Sequence, residues 1–279
     1  MSSSAAVAVQ ASEIHPAPAS ATIEIGGTAI RFCPDRTGFA DAIVPRYAAF
    51  LNNQARPRYE FEVSLRTAAA PADAEPRLSR SGSIWSIERG DLQADWDVRS
   101  HRGHARQEFS AYSTDALLRI VHTLLLVEEG GFLLHASSVA RNGRAFLFAG
   151  ISGAGKTTIS RLAPRGAILL SDEISYVRAG KNGYCAHGTP FTSFDLQPRA
   201  ENISAPLGGV YLLEKGPENR IDAVDESTAA RSLLRNVLFF TKDAGFVNHL
   251  FEAALEFVSR IPVRKLIFTP EERVWDMIR

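Results

Sequence analysis

A chain of 279 residues, 45% hydrophobic and 22% charged, is long enough for one large domain or two modest ones with a sizeable core. Its 31 basic and 31 acidic residues cancel, which argues against a dedicated nucleic-acid binder, a class that carries a basic excess. No run reaches the ~20 apolar residues of a membrane helix, and Cys33 and Cys185 stand far apart, as free thiols of a reducing cytosol do, so a cytoplasmic protein with no membrane partner is expected.

The opening MSSSAAVAVQASEIHPAPAS has no basic n-region and no continuous apolar core, so residues 1–21 are expected to form a disordered tail rather than a signal peptide. Residues 22–112 read as a β-rich region. TIEIGGTAIRF sets a Gly-Gly turn between two alternating runs, a hairpin pattern. DAIVPRYAAFL predicts a short helix, and YEFEVSLR alternates from Tyr59 to Leu65. TAAAPADAEPRLSRSGS is rich in Ala, Pro and Ser and is expected to be an exposed loop. SIWSIERGDLQADWDV gives two further strands about Gly90-Asp91.

Residues 113–279 change texture and read as a second, α/β domain. STDALLRIVHTLLLVEEGG predicts a helix with Ser113 or Thr114 as N-cap, Gly130-Gly131 as its stop, and Leu117, Val121, Leu124 and Leu125 on one apolar face. His122 within it is expected to be structural or solvent-facing. FLLHASSVA and AFLFAG flank Asn142-Gly143, a strong hairpin signal. KTTISRLAP predicts a short helix stopped by Pro164 and Gly166, and AILLS a buried strand. Further on, GGVYLLEK and VRKLIF read as strands, and ESTAARSLLRNVLFF and GFVNHLFEAALEFVSRI have helical period. TPEERVWDMIR carries a helix-start signature in Thr269, Pro270 and Glu272.

Between the apolar strand and the short helix lies GISGAGKTT, with Gly150 followed after four residues by Gly155-Lys156-Thr157. In such a loop, glycines let successive backbone N–H groups converge on phosphate oxygens at a helix N-terminus. The expected nucleotide contacts are Gly150, Ser152, Gly153, Ala154, Gly155, Lys156, Thr157 and Thr158. Lys156 supplies a charge at the β and γ phosphates, and Thr157 a hydroxyl for Mg2+. Asp172-Glu173 follow Thr157 by only 15 residues, so the helix turns straight back into a strand that brings an acidic pair to the phosphates. Asp172 is assigned to Mg2+ and Glu173 to proton abstraction, although the two can exchange these roles. Consecutive strand residues point to opposite sides, so both can serve the site only if the strand has ended before them.

LLHASSVARNGRAFLFAGISGAGKTTISRLAPRGAILLSDEISYV resembles the catalytic core of the HPr kinase/phosphorylase family, most closely its shorter bacterial relatives that act as serine or peptide kinases. HGTPF, PLGGVYLLEKG and VRKLIFTPEERVWDMI extend the likeness over residues 113–279. The resemblance implies a fold akin to phosphoenolpyruvate carboxykinase, with a P-loop core that is β-rich and unlike ordinary parallel-sheet NTPases. It also implies transfer of the γ-phosphate of ATP, with Mg2+, to a serine of a protein or peptide, and a homo-oligomeric state. It matches His135 to a histidine of the catalytic strand, although a lone histidine in an apolar strand is ordinarily a core residue. The Glu-Val-Arg-Gly signature that HPr kinase carries after its acidic pair is absent, which removes support for the reverse, phosphorylase reaction and for HPr as substrate. His187, ahead of a Gly and a Pro, is expected in a turn.

Three readings of the loop stay open at this level: a kinase, an ATPase that activates water, and a nucleotide-binding regulator without chemistry. The short interval between loop and acidic pair counts against the ATPase. No base-reading motif separates ATP from GTP or pyrophosphate.

Overall fold

The computed structural model describes residues 19–66, 75–192 and 200–279, so most of the expected N-terminal tail lies outside the described residues. Among these residues the chain is a mixed α/β structure with two sheets. The first grows from period-two alternation. β1 (Ala21–Ile25) and β2 (Thr28–Pro34) form the Gly26-Gly27 hairpin, and both glycines take positive φ. After α1 (Phe39–Tyr47), β3 (Tyr59–Arg66) lies parallel to β2, burying Tyr59, Phe61, Val63 and Leu65 and exposing the residues between. β4 (Arg77–Ser81), β5 (Ile84–Arg89), β6 (Leu92–Asp97) and β7 (Arg102–Glu108) complete the order β1-β2-β3-β7-β6-β5-β4. β4 corrects part of the long loop expected from composition. Arg77–Ser81 pairs antiparallel with β5, forming an edge strand of largely exposed polar residues whose backbone satisfies itself in the ladder. Residues 67–74 of that expected loop lie outside the described residues.

α2 (Ala111–Glu128) joins the sheets, contacting β6 and β7 of the first and β8 (Phe132–Arg141) and α5 (Ala244–Arg260) beyond it. It is therefore buried on nearly every face rather than on the single apolar stripe expected, and its polar residues must find partners inside. Its cap is Ser110, whose Oγ accepts from Tyr112 N at 3.0 Å, not Ser113 or Thr114. Those two hydroxyls are taken by residues of the first sheet, Ser113 donating to Asp91 at 2.7 Å and Thr114 accepting from Gln107 at 2.8 Å. The expected glycine stop is present: Gly131 N donates to Leu126 O at 2.7 Å with Gly130 at positive φ.

The second sheet is built round β8. β9 (Arg144–Ala149) returns antiparallel beside it through the Asn142-Gly143 turn, and β13 (Ser204–Lys215) lies parallel to β9. β11 (Ile174–Gly180) pairs with β8, β12 (Gly183–His187) with β11, and β13 with β12, so the five strands close into a ring. β10 (Ile168–Ser171), β14 (Arg220–Ala223) and β15 (Val263–Phe268) extend it. α3 (Lys156–Arg161) follows β9. α4 (Glu226–Leu234) stops short of its helical pattern because Val237 bridges to Leu134 and Leu238 N donates to Leu133 O at 2.9 Å, which draws the chain out beside β8. The C-terminal segment forms only a 3-10 helix, Glu272–Asp276. Thr269 is held instead by Asn219, whose Oδ1 accepts from its backbone N at 2.8 Å, so it does not cap. His187 ends β12 rather than lying in a turn, and stacks edge-on against Tyr176 at 5.5 Å. Among the described residues no helix is long and apolar enough to cross a membrane.

His122 proves structural. It is fully buried in α2, 3.3 Å from the Tyr176 hydroxyl through Nδ1, and its Nε2 has no hydrogen-bond partner among the described residues. Burial, with a smaller push from Arg178, brings its pKa down to about 3. The unfolded chain takes up a proton near pH 6.5 and the folded chain does not until about 3, so stability rises with pH through that window and is complete above it. The urea midpoint is expected to fall from pH 7 to pH 5, by about 1 kcal/mol of stability per pH unit for such a histidine. His122→Phe should flatten the fall; an unchanged pH slope would contradict the assignment.

Candidate functional site

β9 is apolar from Ala145 to Ala149 and buried throughout, with a paired strand on each edge. It ends at Ala149, in register with Leu212 of β13, and releases the chain into the glycine-rich loop. Gly155 caps α3 at φ 107°, and a Cβ there would stand 2.7 Å from the Phe268 ring, so this position requires glycine. α3 is pinned from behind: Ser137 Oγ donates to Lys156 O at 3.1 Å, and Trp275 Nε1 donates to Ile159 O at 2.9 Å. Among the described residues no side chain caps the helix, and its first N–H groups have no intrahelical partners. Lys156 Nζ lies across the loop, donating to Gly150 O at 2.8 Å and to Ile151 O at 3.3 Å.

β10 ends at Ser171 and β11 begins at Ile174, so Asp172 and Glu173 occupy the bend between strands, where both side chains can turn to one side. The bend is braced. Glu173 N donates to Ser171 Oγ at 3.3 Å, Thr189 Oγ1 donates to Ile174 O at 2.8 Å, and Thr192 Oγ1 donates to Asp172 Oδ2 at 3.2 Å. Glu173 Oε2 is buried without a hydrogen-bond partner among the described residues. Burial raises the Glu173 pKa; Arg119 and Arg46 oppose this, while Asp172 and Asp115 reinforce it. His135 is the exposed side chain in an otherwise buried stretch of β8, so it is not a core histidine. Partial burial, Lys156 and Arg119 lower its pKa, which favours a neutral ring.

Two adjoining cavities collect these residues. One, of about 400 Å³, is lined by Gly155, Lys156, Thr157, Thr158, Asp172 and Glu173. The other, of about 730 Å³, takes in Gly150 and Ala154, and His135, Ser152 and Gly153 border both. The cavities also contain residues that the sequence reading missed. Lys215 borders both; it ends β13, the parallel neighbour of β9, and the rule that ligands gather at the carboxyl ends of parallel strands points to it. Arg235 and Asn236 carry no spacing signal. They arrive because His135 N donates to Asn236 O at 2.7 Å, locking the end of α4 to β8.

The hydroxyl of Thr157 and the carboxylate of Asp172 share the smaller cavity, a hard oxygen set that suits Mg2+. No group of three or more His, Cys, Asp or Glu among the described residues forms a protein-only metal cage. Mg2+ bound chiefly through substrate phosphates needs no such cage.

Behind the acidic bend sits a buried ionic cluster. Asp115 of α2 is 2% exposed, and its carboxylate meets Arg46 Nε at 3.1 Å, Arg119 Nε at 2.7 Å and the Tyr47 hydroxyl at 3.2 Å. Burial raises its pKa, and the two guanidiniums oppose that.

The model of the family described as SynChlorMet cassette protein ScmC matches residues 106–279. No curated protein matches. Among solved structures, the HPr(Ser) kinase/phosphatase from Coxiella burnetii is similar at 15% identity and a TM-score of 0.25, over 43% of this chain and 93% of that one.

Asp115→Asn leaves the buried Arg46 guanidinium and the half-buried Arg119 guanidinium short of their counter-charge and is expected to cost about 3 kcal/mol of stability, read as a lower urea midpoint. A midpoint equal to the parent's would show the cluster to be energetically idle.

Proposed function

The chain belongs to the ScmC family; from the geometry of the loop we propose that it is an ATP- and Mg2+-dependent kinase that phosphorylates a serine, or another hydroxyl, of a protein or peptide. The observation that carries this reading is the meeting of Lys156, Thr157, Asp172 and Glu173 in one cavity at the glycine-rich loop. The likeness of residues 132–176 to the HPr kinase/phosphorylase core supports it from the sequence.

In this reading the loop amides and Lys156 hold the phosphates. The larger cavity, with Ile151, Leu212 and Leu213 in its wall, suits the nucleoside. Thr157 and Asp172 would hold Mg2+, which would supply positive charge against the phosphates during transfer. The acceptor then enters beside Glu173. Its oxygen bonds to the γ-phosphorus as the bond from that phosphorus to the β–γ bridging oxygen breaks, ADP leaves with the electron pair, and Glu173 takes the hydroxyl proton. A carboxylate raised by burial is better matched to that role than a solvated one. Neutral His135, open to both cavities, is placed to orient the hydroxyl or the transferring phosphoryl group.

Lys156→Ala is expected to leave the thermal melt unchanged and abolish transfer, because it removes the cation that holds the β and γ phosphates. Glu173→Gln should keep Mg-ATP binding while slowing transfer ~10²–10⁴-fold, the range for a lost general base. Both the parent and Glu173→Gln should hydrolyse ATP only slowly without an acceptor. Fast acceptor-independent hydrolysis by the parent, lost in Glu173→Gln, would make the protein an ATPase instead.

A further inference from the structure

Arg46 lies on α1, outside residues 106–279 that match the family model, yet it is 8% exposed and its guanidinium ends within two hydrogen bonds of the acidic bend. Nε donates to Asp115 Oδ1 at 3.1 Å, and Nη2 donates to Thr192 O at 2.8 Å. The hydroxyl of Thr192 in turn donates to Asp172 Oδ2 at 3.2 Å. Neutralising Asp115 does not require this reach, because Arg119 already meets its other oxygen at 2.7 Å. Arg46 spans two elements that are otherwise far apart in sequence, and a lysine, with a single ammonium, cannot make that planar double contact as well.

The segment that Arg46 holds lies along the acidic bend. Thr189 N donates to Leu170 O at 3.0 Å, its hydroxyl reaches Ile174 O and Ser171 Oγ, and Phe191 is buried beneath the Arg119 guanidinium, 5.4 Å from ring centre to cation. Residues 189–192 are thus strapped to the end of β10 at one end and to Arg46 at the other. Asp172 takes its hydrogen bond from the far end of that strap.

We infer that Arg46 is a positioning residue of the phosphate site: through Thr192 it sets the place of the Asp172 carboxylate, so that a side chain of the first sheet's own helix completes the site in the second. This rests on the kinase reading only in giving Asp172 its role towards Mg2+. Outer partners of this kind orient a metal-binding carboxylate without touching the metal.

The test is the Mg2+ dependence of ATP affinity in the full chain, measured by titration calorimetry with Mg2+ and with EDTA. Thr192→Val keeps the shape and removes only the hydroxyl. It is expected to lose about tenfold of the Mg2+-dependent gain in affinity, the low end for a lost outer partner, while metal-free ATP affinity stays at the parent value. Arg46→Gln should lose the same part, Arg46→Lys a smaller part, and the double variant Arg46→Gln/Thr192→Val no more than Thr192→Val alone, because both act through one contact chain. Should Arg46→Gln unfold at the working temperature, Arg46→Lys takes its place in the double variant with the same non-additive expectation. Parent-like Mg2+ responses in Thr192→Val, or losses that simply add, overturn this inference alone. A parent chain that binds no ATP with or without Mg2+ overturns the nucleotide reading and this inference with it.

Discussion

Strand β9 must stop where it does. Flanked by β8 and β13 and buried over its whole apolar length, it has no freedom to slide, and its last residue, Ala149, is fixed in register on both sides. A one-residue slip would exchange the side chains between its two buried faces, Ala145, Leu147 and Ala149 packing in one core cluster and Phe146 and Phe148 in the other. The glycine-rich loop therefore leaves the sheet at a defined point. α3, pinned by Ser137 and Trp275, fixes where the loop ends. Phosphate chemistry needs donors held in place before the substrate arrives, and a loop anchored at both ends meets that need without any ligand.

The acidic bend is fixed differently. It belongs to no strand, so its geometry depends on contacts from residues distant in sequence: Thr189 and Thr192 directly, with Arg46, Asp115 and Arg119 behind them. Buried ion pairs add little net stability, because desolvation offsets their attraction. What they do here is specify. The Asp115 cluster brings α1, α2 and the 189–192 segment into one arrangement. The apolar core that surrounds it runs without a break from Ala21 of the first sheet to Ile261 beyond α5.

Much of this was legible from local pattern. Period-two alternation located β3, β5 and β6, Asn142-Gly143 located the hairpin before the loop, and the glycine spacing located the loop itself, because each is a signal carried by neighbouring residues. The misreadings share a cause of the opposite kind. Ser113 and Thr114 look like caps but bond to Asp91 and Gln107; Thr269 looks like a cap but is held by Asn219; α4 has helical period past Leu234 but is drawn out by Leu133 and Leu134. In each case a partner brought in by the tertiary fold overrode a local preference. Lys215, Arg235 and Arg46 escaped notice for the same reason, since nothing adjacent to them in sequence marks a site.

In the proposed reaction, phosphate leaves this site on an acceptor rather than on water. Intact-mass measurement of candidate acceptor proteins and peptides, incubated with the full chain and Mg-ATP, tests it directly. An acceptor is expected to gain about 80 Da, one phosphoryl group, in step with ADP formation. ADP and inorganic phosphate accumulating together at the same rate whether or not an acceptor is present, with no acceptor gaining mass, would contradict it.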